Sequence, residues 1–310
     1  MKSNLDLAKD DIVSSALAMG FFDARVAKAE NLVAELERLK SWLKSGNHAD
    51  MKWMERDPQK RCDPRQIQEN CKSVIVLASS YNPDGEYENK VGLGKVARYA
   101  WGRDYHKILS KKMKKLLTGF EGNYPDYKFK AFTDTAPLLE RAWAEKSGIG
   151  WQGKHSLIIN RKRGSYFFLS VILTTMELEP DLPDRDRCGK CTKCIDACPT
   201  GAIIGDKIID SRKCISYWTI ESKAETFPEN IEKNLSGRIF GCDICQEVCP
   251  WNNQRVPKTE ISEFLGKTKE LKISELLDMD EAYYRNLTDG TALKRAKLDG
   301  LRRNAKALEK

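Results

Sequence analysis

Eight cysteines fall between positions 188 and 249, and this crowding constrains the chain more than any other feature. Cys188, Cys191, Cys194 and Cys198 form a Cys-x2-Cys-x2-Cys-x3-Cys-Pro run in CGKCTKCIDACP. Spacings this short let one loop wrap a cubane of iron and sulfide with three thiolates, leaving the fourth for a second cluster. A second run, CDICQEVCPW, supplies Cys242, Cys245 and Cys249 and lacks its leading cysteine. Cys214, with 27 intervening residues, can replace it. The count closes at two sets of four. Cys188, Cys191, Cys194 and Cys249 are assigned to one [4Fe–4S] cluster, and Cys198, Cys214, Cys242 and Cys245 to the other. Exchange of fourth ligands makes the clusters neighbours, as electron transfer requires.

The first run has the bacterial ferredoxin pattern. Zinc sites and reduced structural thiols are the rival readings, but zinc sites usually pair Cys-x2-Cys units rather than use a three-cysteine loop followed by Cys-Pro. Cys62 and Cys71 have no partner motif and read as core or surface thiols. No run of 18 or more apolar residues occurs, so no transmembrane helix is expected. Acids within the first ten residues and the lack of an apolar signal core point to the cytoplasm. Nothing points to an obligate dimer, so a monomer is expected.

A two-cluster carrier needs only about residues 181–251. The preceding chain carries its own pattern. NLVAELERLKSWLKSG reads as an amphipathic helix with Leu32, Leu36, Leu39 and Leu43 on one face. CKSVIVLASSYNP contains a buried strand from Val74 to Ala78. GRDYHKILSKKMKKLL reads as a helix with a basic face, KFKAFTD as a short strand ending at Asp134, and TAPLLERAWAEKSG as a further helix. SLIIN and SYFFLSVILTT are two more strands. Intermingled strands and helices imply an α+β domain, sandwich-like, over 1–178. A cluster domain follows over 179–256 and a helical basic region over 257–310. No Walker A loop or Gly-x-Gly-x-x-Gly turn is present, so a nicotinamide is not expected on this chain. The formal charge is +8, and the last twenty residues alone hold seven basic and two acidic side chains. That tail is either a solvated helix face or a footprint for phosphates.

Taken together, RYAWGRDYHK (98–107), FTDTAPLLERAWAEKSGIGWQGKHSLI (132–158), the cysteine segment and ALKRAKLDGLRRNA (292–305) resemble the epoxyqueuosine reductases over nearly the whole chain. The resemblance implies reduction of an epoxide on the modified wobble base of a tRNA to an alkene, the last step of queuosine biosynthesis. It also implies base-off cobalamin in an N-terminal domain like the corrinoid domain of reductive dehalogenases. The Asp-x-His-x-x-Gly box that supplies cobalt with a histidine is absent, which fits. Many members carry longer C-terminal helical repeats that grip the tRNA; this sequence stops just after the first basic helix.

The resemblance places Asp134 as the acid that protonates the opening epoxide. To hold a proton near neutrality its carboxyl would have to be raised by burial; the competing reading makes it a helix N-cap. Tyr105 and His106 are further candidates for proton delivery or corrin contact. Arg141 lies two helical turns after Asp134 and could face the same site, or pair with Glu145 at i+4. Gly150, Trp151, Gly153, Lys154 and His155 form a loop expected to approach the flat cobalamin. Lys294, Arg295, Lys297, Arg302 and Arg303 are the expected phosphate contacts to tRNA. An external low-potential donor would feed the clusters. A reductive dehalogenase-like reductase of a small molecule, a ferredoxin-type carrier and a non-catalytic tRNA-binding protein are the alternatives.

Overall fold

The computed structural model describes residues 4–252, 256–266 and 268–309. Its centre is a four-stranded sheet in the order β1-β2-β7-β4, with every pair antiparallel. The strands are β1 (Asp23–Lys28), β2 (Ser73–Ser80), β4 (Phe129–Phe132) and β7 (Phe167–Thr174). All eight residues of β2 are buried. Such a strand needs apolar cover on both faces. Helices α1 (Asn4–Ala18) and α3 (Tyr105–Asn123) cover one face, where Ile12, Leu109, Met113 and Phe120 meet Ile75, Leu77 and Ile172. Helices α2 (Val33–Lys44) and α4 (Glu140–Ser147) cover the other, where Leu36, Leu39 and Trp143 meet Val74, Val76 and Val171. The expected sandwich is therefore three layers, helix–sheet–helix.

A second, three-stranded sheet joins distant parts of the chain in the order β10-β3-β11. Strand β3 (Leu93–Val96) pairs in parallel with β10 (Arg238–Phe240) and antiparallel with β11 (Glu270–Lys272). The sequence pattern suggested helix throughout ISEFLGKTKELKISELLDM. Instead Glu270–Lys272 form an edge strand, because β3 offers them a free ladder; among the described residues of this stretch, Ser262–Phe264 make a 3-10 turn and Ile273–Leu277 a short α-helix. Helix α5 (Lys297–Leu308) lays Leu301 and Ala305 against Ile239 and Phe240 of this sheet. The three sequence segments thus share one sheet.

The chain then adds two hairpins, β5 (Trp151–Gln152) with β6 (Ile158–Ile159) and β8 (Ile203–Gly205) with β9 (Ile208–Ile209). Among the described residues no helix is long and apolar enough to cross a membrane.

Candidate active site and cluster centres

The eight cysteines gather in two groups of four. Cys188, Cys191, Cys194 and Cys249 line one cavity of about 240 Å³. Cys245 lies within electrostatic reach of Cys198, Cys214 and Cys242. One-turn helices Lys193–Asp196 and Ile244–Glu247 carry Cys194 and Cys245 within the two cysteine loops. Burial and then the neighbouring thiols push Cys245 well above the ordinary thiol value. Burial pushes Cys249 up to about 11 and Cys242 up to about 12. Opposing backbone hydrogen bonds from Trp251 and Ile244 favour the thiolates. Four crowded sulfur donors per group are what a cubane takes. Cys62 and Cys71 are buried in the sandwich core, apart from both groups.

Asp134 follows β4 with a left-handed φ of 55°, so the loop turns its carboxylate out of the sheet. Its Oδ2 accepts a 2.6 Å bond from the Tyr105 hydroxyl and lies 3.3 Å from His106 Nε2. Both partners open α3, where Asp104 caps the helix by accepting from the His106 N–H and also engages His106 Nδ1 at 2.9 Å. Tyr105 is fixed by stacking on Phe168 at 4.2 Å and on His106 at 4.0 Å. Asp134 is no N-cap: α4 starts at Glu140 after Leu139, and the Glu140 side chain reaches back to accept from the Asp134 N–H at 2.7 Å.

The titration order reverses the sequence expectation. Burial raises the Asp134 carboxyl, but hydrogen bonds from His106 and Tyr105, with the charge of Arg141, outweigh it and hold the group below its ordinary value. Glu140 is the carboxyl that burial pushes up, to about 8. His106 is raised, chiefly by its bond to Asp134. Glu140 therefore keeps its proton at neutral pH, Asp134 is held anionic, and the charged form of His106, whose two ring nitrogens both face carboxylate oxygens, is favoured. Arg141 does not pair with Glu145, which binds Lys207 at 3.0 Å. Instead Arg141 Nη1 reaches the Ser156 carbonyl and hydroxyl at 3.3 Å, and its charge acts on Asp134.

The 150–155 loop is tightly packed. A Cβ on Gly150 would stand 2.1 Å from the Ile159 carbonyl, so the β5–β6 hairpin itself requires glycine here. A Cβ on Gly153 would likewise strike Ile159 and His155. Trp151 is fully buried against Trp251, ring centroids 4.9 Å apart. Lys154 and His155 line the cavity of the first cysteine group. Glu140 and Ser156 were missed. A glutamate opening a helix just after a candidate acid was the available signal for the first; nothing local marks Ser156.

A family model described as "4Fe-4S double cluster binding domain" matches residues 187–252, and one described as "Epoxyqueuosine reductase QueG, DUF1730" matches 61–135. An epoxyqueuosine reductase of Gloeobacter violaceus is 40% identical, over 96% of this chain and 94% of its own. The chain belongs to the epoxyqueuosine reductase family. Among solved epoxyqueuosine reductases, one in complex with an epoxyqueuosine-modified tRNA-Tyr stem loop is 28% identical with a TM-score of 0.92, over 98% of this chain and 81% of its own. Another, from Bacillus subtilis, has its catalytic aspartate loop swung out of the active site; it is 27% identical with a TM-score of 0.91, over 98% and 82%.

In this member of the epoxyqueuosine reductases the five basic candidates near the end divide. Lys294 and Lys297 are exposed. Arg295 pairs with Glu221 at 2.7 Å, and its charge also reaches Asp134 and Tyr105. Arg302 is half-buried. Arg303 is not a free phosphate ligand. Its guanidinium donates to the carbonyls of Trp218, Ser222 and Ala224 and lies 4.6 Å over the Phe227 ring. It faces inward because α5 packs its apolar side on the second sheet, a fact that charge counting along the sequence cannot see.

Proposed function

We infer that this chain reduces the epoxide of epoxyqueuosine in tRNA to the alkene of queuosine, consuming two electrons and two protons and releasing water. The observation that carries the reading is the exposed Asp134 carboxylate, held by Tyr105 and His106, in a chain of this family. The clusters' thiol sets fit two cubanes fed by an external low-potential donor.

Cobalamin fits beside Asp134. Of the chain's three histidines, His106 has both ring nitrogens engaged, His48 pairs with Glu55, and His155 faces a cysteine cavity. No imidazole is thus free beside Asp134 to ligate a cobalt, in keeping with a base-off corrinoid that has no histidine ligand. The Tyr105–Phe168 stack and the Arg141–Ser156 pair would border it. When bound, the cofactor supplies low-valent cobalt that passes electrons to the epoxide carbon.

The residues then handle protons and charge. Asp134 stands between the substrate oxygen and protonated His106, and relays a proton outward as negative charge builds on that oxygen. Tyr105 fixes the carboxylate's orientation. Arg141 and Arg295 supply positive potential where the oxygen leaves. Lys294 and Lys297, with Arg302, meet tRNA phosphates, and the base leaves its stack to reach the site. We place the reaction in the cytoplasm and on a monomer.

The test is protein reconstituted anaerobically with iron, sulfide and cobalamin, given reductant and epoxyqueuosine tRNA. Mass spectrometry of the nucleosides should show queuosine. Asp134→Asn should slow single turnover by about 10²–10⁴-fold with tRNA affinity unchanged. A fully loaded wild type that converts nothing would overturn the reading.

A further inference from the structure

The loop residue His155 is 3% exposed, and its Nε2 is buried without a protein partner. A buried polar atom of this kind needs a partner from elsewhere. Its other ring nitrogen is committed: Nδ1 accepts from the Leu157 N–H at 3.2 Å. The bond made by one ring nitrogen decides which atom carries the proton. A ring whose Nδ1 accepts carries its hydrogen on Nε2. His155 lines the same cavity as Cys188, Cys191, Cys194 and Cys249.

We propose that His155 Nε2–H donates a hydrogen bond to a sulfur of the cluster held by Cys188, Cys191, Cys194 and Cys249, and so raises that cluster's reduction potential above the value its thiolates alone would set. The physical reason is charge. Reduction adds an electron to an already anionic assembly, and a donor aimed at sulfur stabilises the reduced form more than the oxidised one. In the other group, Cys198 Sγ accepts at 3.2 Å from the backbone N–H of Ala202. A side-chain donor at one cluster gives substitution a handle on that cluster alone. The β5–β6 hairpin holds the imidazole in place, with Gly153 beside Cε1 leaving no room for a side chain there. His155 is in this view a positioning residue for electrons, and its contact lies on the cluster side of the loop rather than on the corrin.

The inference rests on the two-cluster assignment, which iron and sulfide analysis tests separately. The experiment is a redox titration of the anaerobically loaded full chain, followed by electron paramagnetic resonance. His155→Leu should shift one cluster, and not the other, to lower potential by at least tenfold in its reduction equilibrium, which is ~59 mV for one electron. His155→Gln, which keeps a donor, should recover part of that shift. If the leucine variant fails to load iron, the wild type still decides. With ¹⁵N-labelled histidine, pulsed resonance on the reduced protein should show a nitrogen coupling and an exchangeable proton at one cluster. Unchanged potentials in a fully loaded His155→Leu, or no histidine coupling in the wild type, would overturn the proposal.

Discussion

Replacing Arg303 by alanine should unfold the C-terminal region more easily and leave the phosphate footprint intact. The guanidinium donates to the Ser222 carbonyl at 3.0 Å, to Ala224 at 2.7 Å and to Trp218, and covers Phe227. Hydrogen bonds from a charged donor contribute about 1.5–3 kcal/mol each where the acceptor would otherwise be stranded. The Ala224 carbonyl is exposed and can recruit water, so only the Trp218 and Ser222 bonds count in full. The cation–ring contact adds roughly 0.5–1 kcal/mol. Partial rehydration trims the sum to about 3–5 kcal/mol, well beyond the ±0.5 kcal/mol typical of surface changes. Arg303→Lys should rescue little, because one ammonium cannot span three carbonyls in the fork geometry. The assay is a urea midpoint on anaerobic, cluster-loaded protein, run beside tRNA binding at several salt concentrations. Lys297→Ala is the control, with an unmoved midpoint and a salt slope shallower by roughly 0.7–0.9. If Arg303→Ala kept the wild-type midpoint and instead flattened the salt slope, the guanidinium would belong to the nucleic acid and the reasoning would fail.

Glu140, pushed up to about 8, is neutral at pH 7 and ionises as pH rises, setting a second negative charge beside Asp134. Single-turnover rate should therefore fall on an alkaline limb near pH 8, and Glu140→Gln should remove the Glu140 step while keeping the neutral-pH rate, leaving only the loss of the His106 proton; a profile identical to wild type counts against the assignment. Cys249→Ser should cost one cluster's iron and leave the resonance signal of the Cys198, Cys214, Cys242 and Cys245 cluster; loss of both signals would deny the partition. Gly148 closes α4 at φ +83°, and an added Cβ would stand 2.2 Å from the Leu182 carbonyl. Gly148→Ala should lower stability by roughly 2 kcal/mol or more, read from the denaturation midpoint.

What could be read from the sequence was whatever local spacing determines. The cysteine runs, the leucine stripe of α2, and the apolar strands β2 and β7 carry their signals within a few residues. The second sheet does not: β3 is four residues long, and its partners lie in two later stretches with no shared pattern. The family resemblance proposed Asp134 as the acid, with His106 a further candidate, but their order of protonation depends on Tyr105, Arg141 and Glu140 converging from two helices. Gly150 and Gly153 signalled close approach correctly, since glycine reports crowding without reporting what crowds it. Arg303 looked like its neighbours in composition and differs only by the helix face it occupies.

Strand β3 sits between β10, which immediately precedes Cys242, and β11 near the far end of the chain. Early in synthesis β3 has no ladder to join and must wait for both later strands. The second cysteine loop is anchored to the ladder that β3 completes. Closure of this sheet therefore spans the synthesis of most of the chain: β3 meets β10 only after the first cysteine run has been made, and β11 later still, a sequence separation that slows folding.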